Sequence, residues 1–177
     1  EQGSLDLSRF LVDPSISRLV AFLEASPLLE KAQAGSIAAL GLNLDGSKLS
    51  LPSARANAYV AAAIAGFLRE EMLLSRRSFT FETVMSSPDK VELMRRALDC
   101  GYRVYLYYIA TVNVDINISR VRNRVQSGGH GVPENKIVSR YERSLDLLYK
   151  AVLSTSRAYF FDNSTDNEES VWIAECT

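Results

Sequence analysis

Cysteine is nearly missing. Cys100 and Cys176 are the two thiols among 177 residues. That is too few for a disulfide framework, and they are too isolated for a zinc site. Unpaired thiols fit a reducing compartment, so a cytoplasmic protein is expected. An excess of one charge is missing too. There are 20 basic and 21 acidic residues, a net charge of −1. No overall field draws the chain to nucleic acid or to an anionic membrane, and neither is expected as its main partner. No apolar run approaches the ~18 residues that span a bilayer. The longest, Tyr59 to Gly66, is alanine-rich and soon meets Arg69, Glu70 and Glu71. Glu1-Gln2-Gly3-Ser4 has no basic-then-apolar signal pattern. The one histidine, His130, belongs to no nucleophile-elbow motif. A phosphate-cradling loop would read G-x-x-x-x-G-K-[ST] after a strand, and it is absent. The nearest stretch, Gly41 to Ser50, has its lysine one place late and reads as a hairpin turn.

What remains is ordinary globular composition, 47% apolar and 23% charged. A single domain of this length buries roughly 70% of its unfolded surface and needs no staple. Residues 1–35 read as helical pieces, opened by Asp13-Pro14, continued by Ile16, Leu19, Val20 and Leu23, restarted at Ser26-Pro27 and stopped at Gly35. A hairpin is expected over 37–51, turning at Asp45-Gly46. Ser53 to Arg77 is the longest helix, with Tyr59, Ile64, Phe67, Leu68 and Met72 on its buried side and Ala61, Ala62 and Ala63 allowing close packing. Ser78 to Val84 is a β-type run. A helix opens at Pro88 and ends at Gly101. Tyr102 to Ala110 reads as a strand covered on both faces. Helices at 115–125 and from Pro133 to Leu153 flank Gly128-Gly129-His130-Gly131-Val132-Pro133, and strands follow at 157–161 and 170–174. Alternating strands and helices predict an α/β fold, a parallel sheet with helices on both faces. The expected organisation is one domain over 1–177, with accessory helices and a hairpin in 1–53 and a core in 54–177.

Two places could carry chemistry. Residues 116–143 hold Arg120, Arg122, Arg124, Lys136, Arg140 and Arg143 against Glu134 and Glu142, a local +4. Arg120 and Arg124 share one helix face, and Arg140 and Arg143 share another. Two such faces joined by glycines can close over a polyphosphate as a lid, since the arginine fork bonds phosphate oxygens in pairs. Solvated basic helix faces are the plain alternative. The other place is Glu82, late in the 78–84 run, where the ligand crevice of an open α/β sheet lies. There it could accept a hydrogen bond from a substrate hydroxyl or hold a metal-bound water, or point to solvent. Thr80 and Thr83 read as strand formers. His130 could touch phosphate or substrate from the lid, or be an exposed bystander.

Four stretches then resemble zeta-toxin-like P-loop kinases, in the same order and spacing. Phe79-Thr80-Phe81-Glu82-Thr83 is similar to their F-x-F-E-T strand. Arg120-Val121 through Arg124-Val125 to Gly128-Gly129-His130 and Val132-Pro133 resembles the lid R-V-x-x-R-V-x-x-G-G-H-x-V-P. Ile137, Arg140-Tyr141 and Arg143-Ser144-Leu145 match I-x-x-R-Y-x-R-S-L, and Phe161-Asp162-Asn163-Ser164 matches F-D-N-S. The resemblance runs from about Tyr59 to Trp172. It implies a P-loop kinase sandwich, using ATP and Mg²⁺ to phosphorylate a hydroxyl of a small molecule, with UDP-N-acetylglucosamine the best precedent. It also implies an antitoxin partner. By carry-over, Arg120, Arg124 and Arg140 act on the triphosphate as catalytic residues, and Arg124, Arg140 and Arg143 bind the nucleotide. Glu82, Thr83 and His130 face the acceptor. No metal ligand is assigned. A start without an initiator Met and an end just after an expected strand suggest that both ends are cut, and since the family's first strand, P-loop and N-A-D segment should precede the match, roughly 40–60 further residues are expected upstream. The chain alone is then expected to be inactive. Two other readings stand beside this one: a non-catalytic homologue that binds or regulates, and an unrelated α/β domain whose basic lid holds RNA or a phosphorylated partner.

Overall fold

The computed structural model describes residues 2–10, 15–32, 36–166 and 168–177. The expected helix start at Asp13-Pro14 and the stop at Gly35 lie outside these. The chain divides into two compact units, residues 1–80 and 81–177. The division falls after the long helix.

The first unit is built from β1 (Gln2–Asp6), α1 (Ile16–Glu24), α2 (Pro27–Lys31), α3 (Ile37–Leu40), β2 (Asn43–Asp45), β3 (Lys48–Pro52) and α4 (Ala58–Leu74). The helices start where hydroxyl and amide side chains cap them. Ser15 accepts from the Arg18 amide, Ser26 from Leu28, and Asn57 from Tyr59 and Val60. The hairpin turns at Gly46 (φ +55°), with Asp45 opposite Lys48. Residues 2–6 are not helical, contrary to expectation. They pair antiparallel with β3, Leu5 opposite Leu49, to give a sheet in the order β1-β3-β2. Ladder formation with a distant strand overrides local pattern there.

The core of this unit gathers Leu7, Leu19, Leu23, Leu40, Leu49, Val60, Ala63 and Phe67. Phe22 meets Phe67 edge to face at 5.7 Å. Along α4 the buried stripe is Val60, Ala63, Ile64, Phe67, Leu68 and Glu71, which is true helical spacing. Tyr59, expected inside, starts the helix on its exposed side, and Ala61 and Ala62 also face water.

The second unit contains α5 (Pro88–Asp99), β4 (Tyr105–Ala110), α6 (Val114–Gln126), α7 (Glu134–Leu153), β5 (Arg157–Asp162) and β6 (Val171–Cys176). Strands β4 and β5 run parallel, with α6 and α7 forming the crossover that parallel pairing requires. Strand β6 returns antiparallel to β5, with a register shift between Phe160 and Phe161. The fold is thus mixed α/β with two three-stranded sheets, one antiparallel throughout and one of both kinds. Of the expected parallel sheet, the described residues form the β4–β5 pair, while β6 joins it antiparallel.

Leu106 and Ala158 point into a core with Met85, Val91, Met94 and Ala151. The alternate residues of β4, namely Tyr105, Tyr107 and Ile109, are exposed, Tyr107 by 63%. So β4 is covered on one face, not two. Tyr107 stacks on Tyr159 at 5.0 Å, and Phe161 lies alongside at 6.5 Å. Residues 78–84 form no strand. β-propensity records how well side chains suit a pleated, half-buried surface, and no ladder forms here to supply one.

Candidate functional site

Helix α6 begins where Asn113 accepts from the Ile116 amide at 3.3 Å. It buries no residue completely, so its arginines have room to find partners. Arg120 finds Asp166: both Nε and Nη2 approach Oδ1 at 3.0 Å, and Nη2 also donates to the Thr165 carbonyl at 3.2 Å. Arg122 reaches across the glycine stretch to Glu134, at 3.1 Å from Nε and 2.5 Å from Nη2. Arg124 is exposed, and its guanidinium makes no ion pair or hydrogen bond among the described residues.

The end of α6 is a closed motif. The Gly128 amide donates to the Val125 carbonyl at 2.9 Å, and the Gly129 amide to the Arg124 carbonyl at 2.8 Å. Gly128 is left-handed at φ +84°. This is the Schellman pattern, which glycine serves by tolerating that conformation. Gly129 is required for a second reason. A Cβ there would sit 2.6 Å from Arg124 Cγ and 2.9 Å from the Arg124 carbonyl oxygen. The two glycines expected to flex as a hinge therefore have a defined task in stopping a helix and seating the stem of Arg124. His130 follows, exposed.

Helix α7 then fastens several segments at once. Tyr141 donates its hydroxyl hydrogen to the Thr111 carbonyl at 3.1 Å, and Ser144 shares a hydrogen bond with the Tyr108 hydroxyl at 3.3 Å. Arg143 donates from Nε to the Ser86 carbonyl at 3.0 Å. Arg140 lies half-buried with no hydrogen-bonded or ionic partner among the described residues.

Glu82 and Thr83 lie in a stretch without regular secondary structure, both exposed. Glu82 therefore does not stand at the carboxyl end of a strand, as the crevice position requires. Thr83 has a local role, its Oγ1 accepting from the Met85 amide at 3.0 Å. Met85 is left-handed at φ +53°, with its side chain 3% exposed in the second core.

Sequence reasoning missed a polar cluster past the carboxyl ends of β4 and β5. The Val112 amide donates to Ser164 Oγ at 2.8 Å, and Ser164 donates to Asp162. Asn117 donates to Thr111 Oγ1 at 2.8 Å, and the Asn163 amide to the Ala110 carbonyl at 2.8 Å. The signal was Asp162-Asn163-Ser164 directly after an apolar run, which is the position where open α/β sheets bind ligands. Among the described residues, no three His, Cys, Asp or Glu side chains group to hold a metal ion. No helix there is long and apolar enough to cross a membrane.

No family model matches the sequence, and no solved structure matches it. An uncharacterized protein of Haemophilus influenzae (strain Rd) is similar, 36% identical over 63 residues that make up 36% of this chain and 45% of that protein. The chain thus spans less than half of that relative's length.

Proposed function

We propose that the chain is the lid-bearing, acceptor-facing part of an ATP-dependent kinase of zeta-toxin type, acting on a hydroxyl of a small molecule such as UDP-N-acetylglucosamine. The observation that carries this reading is how the lid arginines divide. Arg120 and Arg122 are neutralised by Asp166 and Glu134, while Arg124 and Arg140 keep uncommitted guanidinium groups. Phosphoryl transfer spreads charge over the phosphoryl oxygens, so positioned cations supply most of the catalysis. Among the described residues, Arg124, at the end of α6, and Arg140, in α7, are lid arginines free to supply it. Arg120 passes from a catalytic role to holding α6 against the segment at Thr165 and Asp166. Glu82, exposed, accepts the hydrogen bond of the acceptor hydroxyl. Mg²⁺ would supply charge neutralisation at the phosphoryl group in such a reaction, and among the described residues no three His, Cys, Asp or Glu side chains group to hold it.

The test is phosphoryl transfer by the complete protein encoded by the gene, with ATP and candidate acceptors, products identified by mass spectrometry. Arg124→Ala and Arg140→Ala should each lower transfer by about 10²-fold, the usual loss of a transition-state charge partner, and Arg120→Ala by much less. Glu82→Gln should impair acceptor use more than ATP binding. Unchanged turnover in both arginine variants refutes the lid role. Nucleotide binding without any transfer would instead identify a non-catalytic binding module.

A further inference from the structure

Three fastenings fix the stretch that follows Glu82. The Thr83 hydroxyl oxygen accepts from the Met85 amide at 3.0 Å. The Met85 side chain is sealed into the core beside Val91, Met94 and Leu106. The Ser86 carbonyl accepts from Arg143 Nε at 3.0 Å. Between them Met85 is held at φ +53°, a conformation that an ordinary side chain adopts only when its surroundings impose it. Two of the three fastenings are local or apolar. The third comes from α7, three residues beyond the uncommitted Arg140.

We propose that Arg143 is a positioning residue: by holding the Ser86 carbonyl it sets the place of Glu82 and ties that place to the helix carrying Arg140. This rests on the kinase reading and revises it, because the family resemblance puts Arg143 on the nucleotide. Helix α7 is one rigid element. Within four residues it carries Arg140, the Tyr141 bond to Thr111 and the Arg143 bond to Ser86. A phosphate drawn to Arg140 acts on the same rod that holds the acceptor segment, so nucleotide occupancy and acceptor geometry are linked through one side chain.

Two substitutions separate this from a charge contact. Arg143→Gln places an amide nitrogen at the chain position of Arg Nε, keeping the donor and removing the charge. Arg143→Met has the same length and neither donor nor charge. In the complete protein with ATP and UDP-N-acetylglucosamine, Arg143→Met should raise the acceptor KM about fivefold, the loss of one hydrogen bond that water replaces only in part at this exposed site. The KM for ATP should stay within about twofold of wild type, and Arg143→Gln should restore the acceptor KM. Amide hydrogen exchange at Met85 and Ser86 should quicken about tenfold in Arg143→Met alone. Equal impairment of both variants with a raised KM for ATP overturns the proposal in favour of a nucleotide contact. So does unchanged exchange in Arg143→Met. If the wild-type protein transfers phosphate to no acceptor, the kinase reading falls, and exchange in the two variants still decides whether Arg143 holds the segment.

Discussion

Arg18 and Glu71 meet at 2.7 Å, the guanidinium half in water and the carboxylate only 5% exposed. Attraction across such a boundary is modest, and the larger quantity is what happens when one side is lost. A buried carboxylate without a partner is strongly destabilising, whereas removing both charges and filling the space is often neutral. We therefore expect Arg18→Ala to cost about 2–3 kcal/mol, and Arg18→Ala with Glu71→Leu to recover much of it. Urea unfolding of the two variants measures this, and equal losses in both would show that packing around the arginine stem dominates. The lid arginines make the companion point. Spacing of four residues places Arg120 and Arg124 on one face, and that much can be read from the letters. Spacing says nothing of Asp166, which lies 46 residues further along and captures Arg120 alone. Which cation is spent and which is left over is settled by tertiary neighbours, so the division of labour inside the lid was invisible in the sequence.

Helices were the most legible elements. Pro88 opens α5 and Ser26-Pro27 opens α2 where expected, because caps and breakers act through backbone chemistry within one turn. The glycine pair after α6 was seen as a break, and it is one; its left-handed turn and the seat of the Arg124 stem against it were not legible. Freedom of glycine in the unfolded chain and its use in a fixed left-handed turn look identical in sequence. The two meanings separate experimentally. Gly129→Ala should cost about 1–2 kcal/mol, because the added carbon collides with backbone as well as with the Arg124 stem. The melting temperature should drop by a few degrees, and exchange should quicken at the last turn of α6. A variant as stable as wild type would mean the helix ends otherwise. Strands were less legible. The run at 78–84 has the composition of one and no ladder, and β4 was expected to be covered twice and is covered once. Strand composition describes an environment, and the environment depends on neighbours elsewhere in the chain.

Each half of the molecule has its own apolar interior, one around Leu19, Leu23 and Phe67, the other around Met94, Leu106 and Ala158. Alternation of helix and strand, read from residue 54 onward, matches α4 and the elements from Pro88 on, and fails at 78–84. In the first half the hairpin was legible from its Asp45-Gly46 turn, while the pairing of residues 2–6 with it was not. Two interiors predict two levels of protection. Leu23 is fully buried, and Leu23→Ala should cost about 2–5 kcal/mol. Native-state hydrogen exchange should show that loss throughout Ile16–Glu24 and Ala58–Leu74, and a smaller one in Tyr105–Ala110 and Arg157–Asp162. A uniform loss would make the chain one cooperative unit. The close fit of Gly129 against Arg124 also has an evolutionary corollary. Shortening the residue five positions before it would relieve the contact with the stem but not the one with the Arg124 carbonyl oxygen, so related chains that end this helix in the same turn should keep glycine there whatever stands at the arginine.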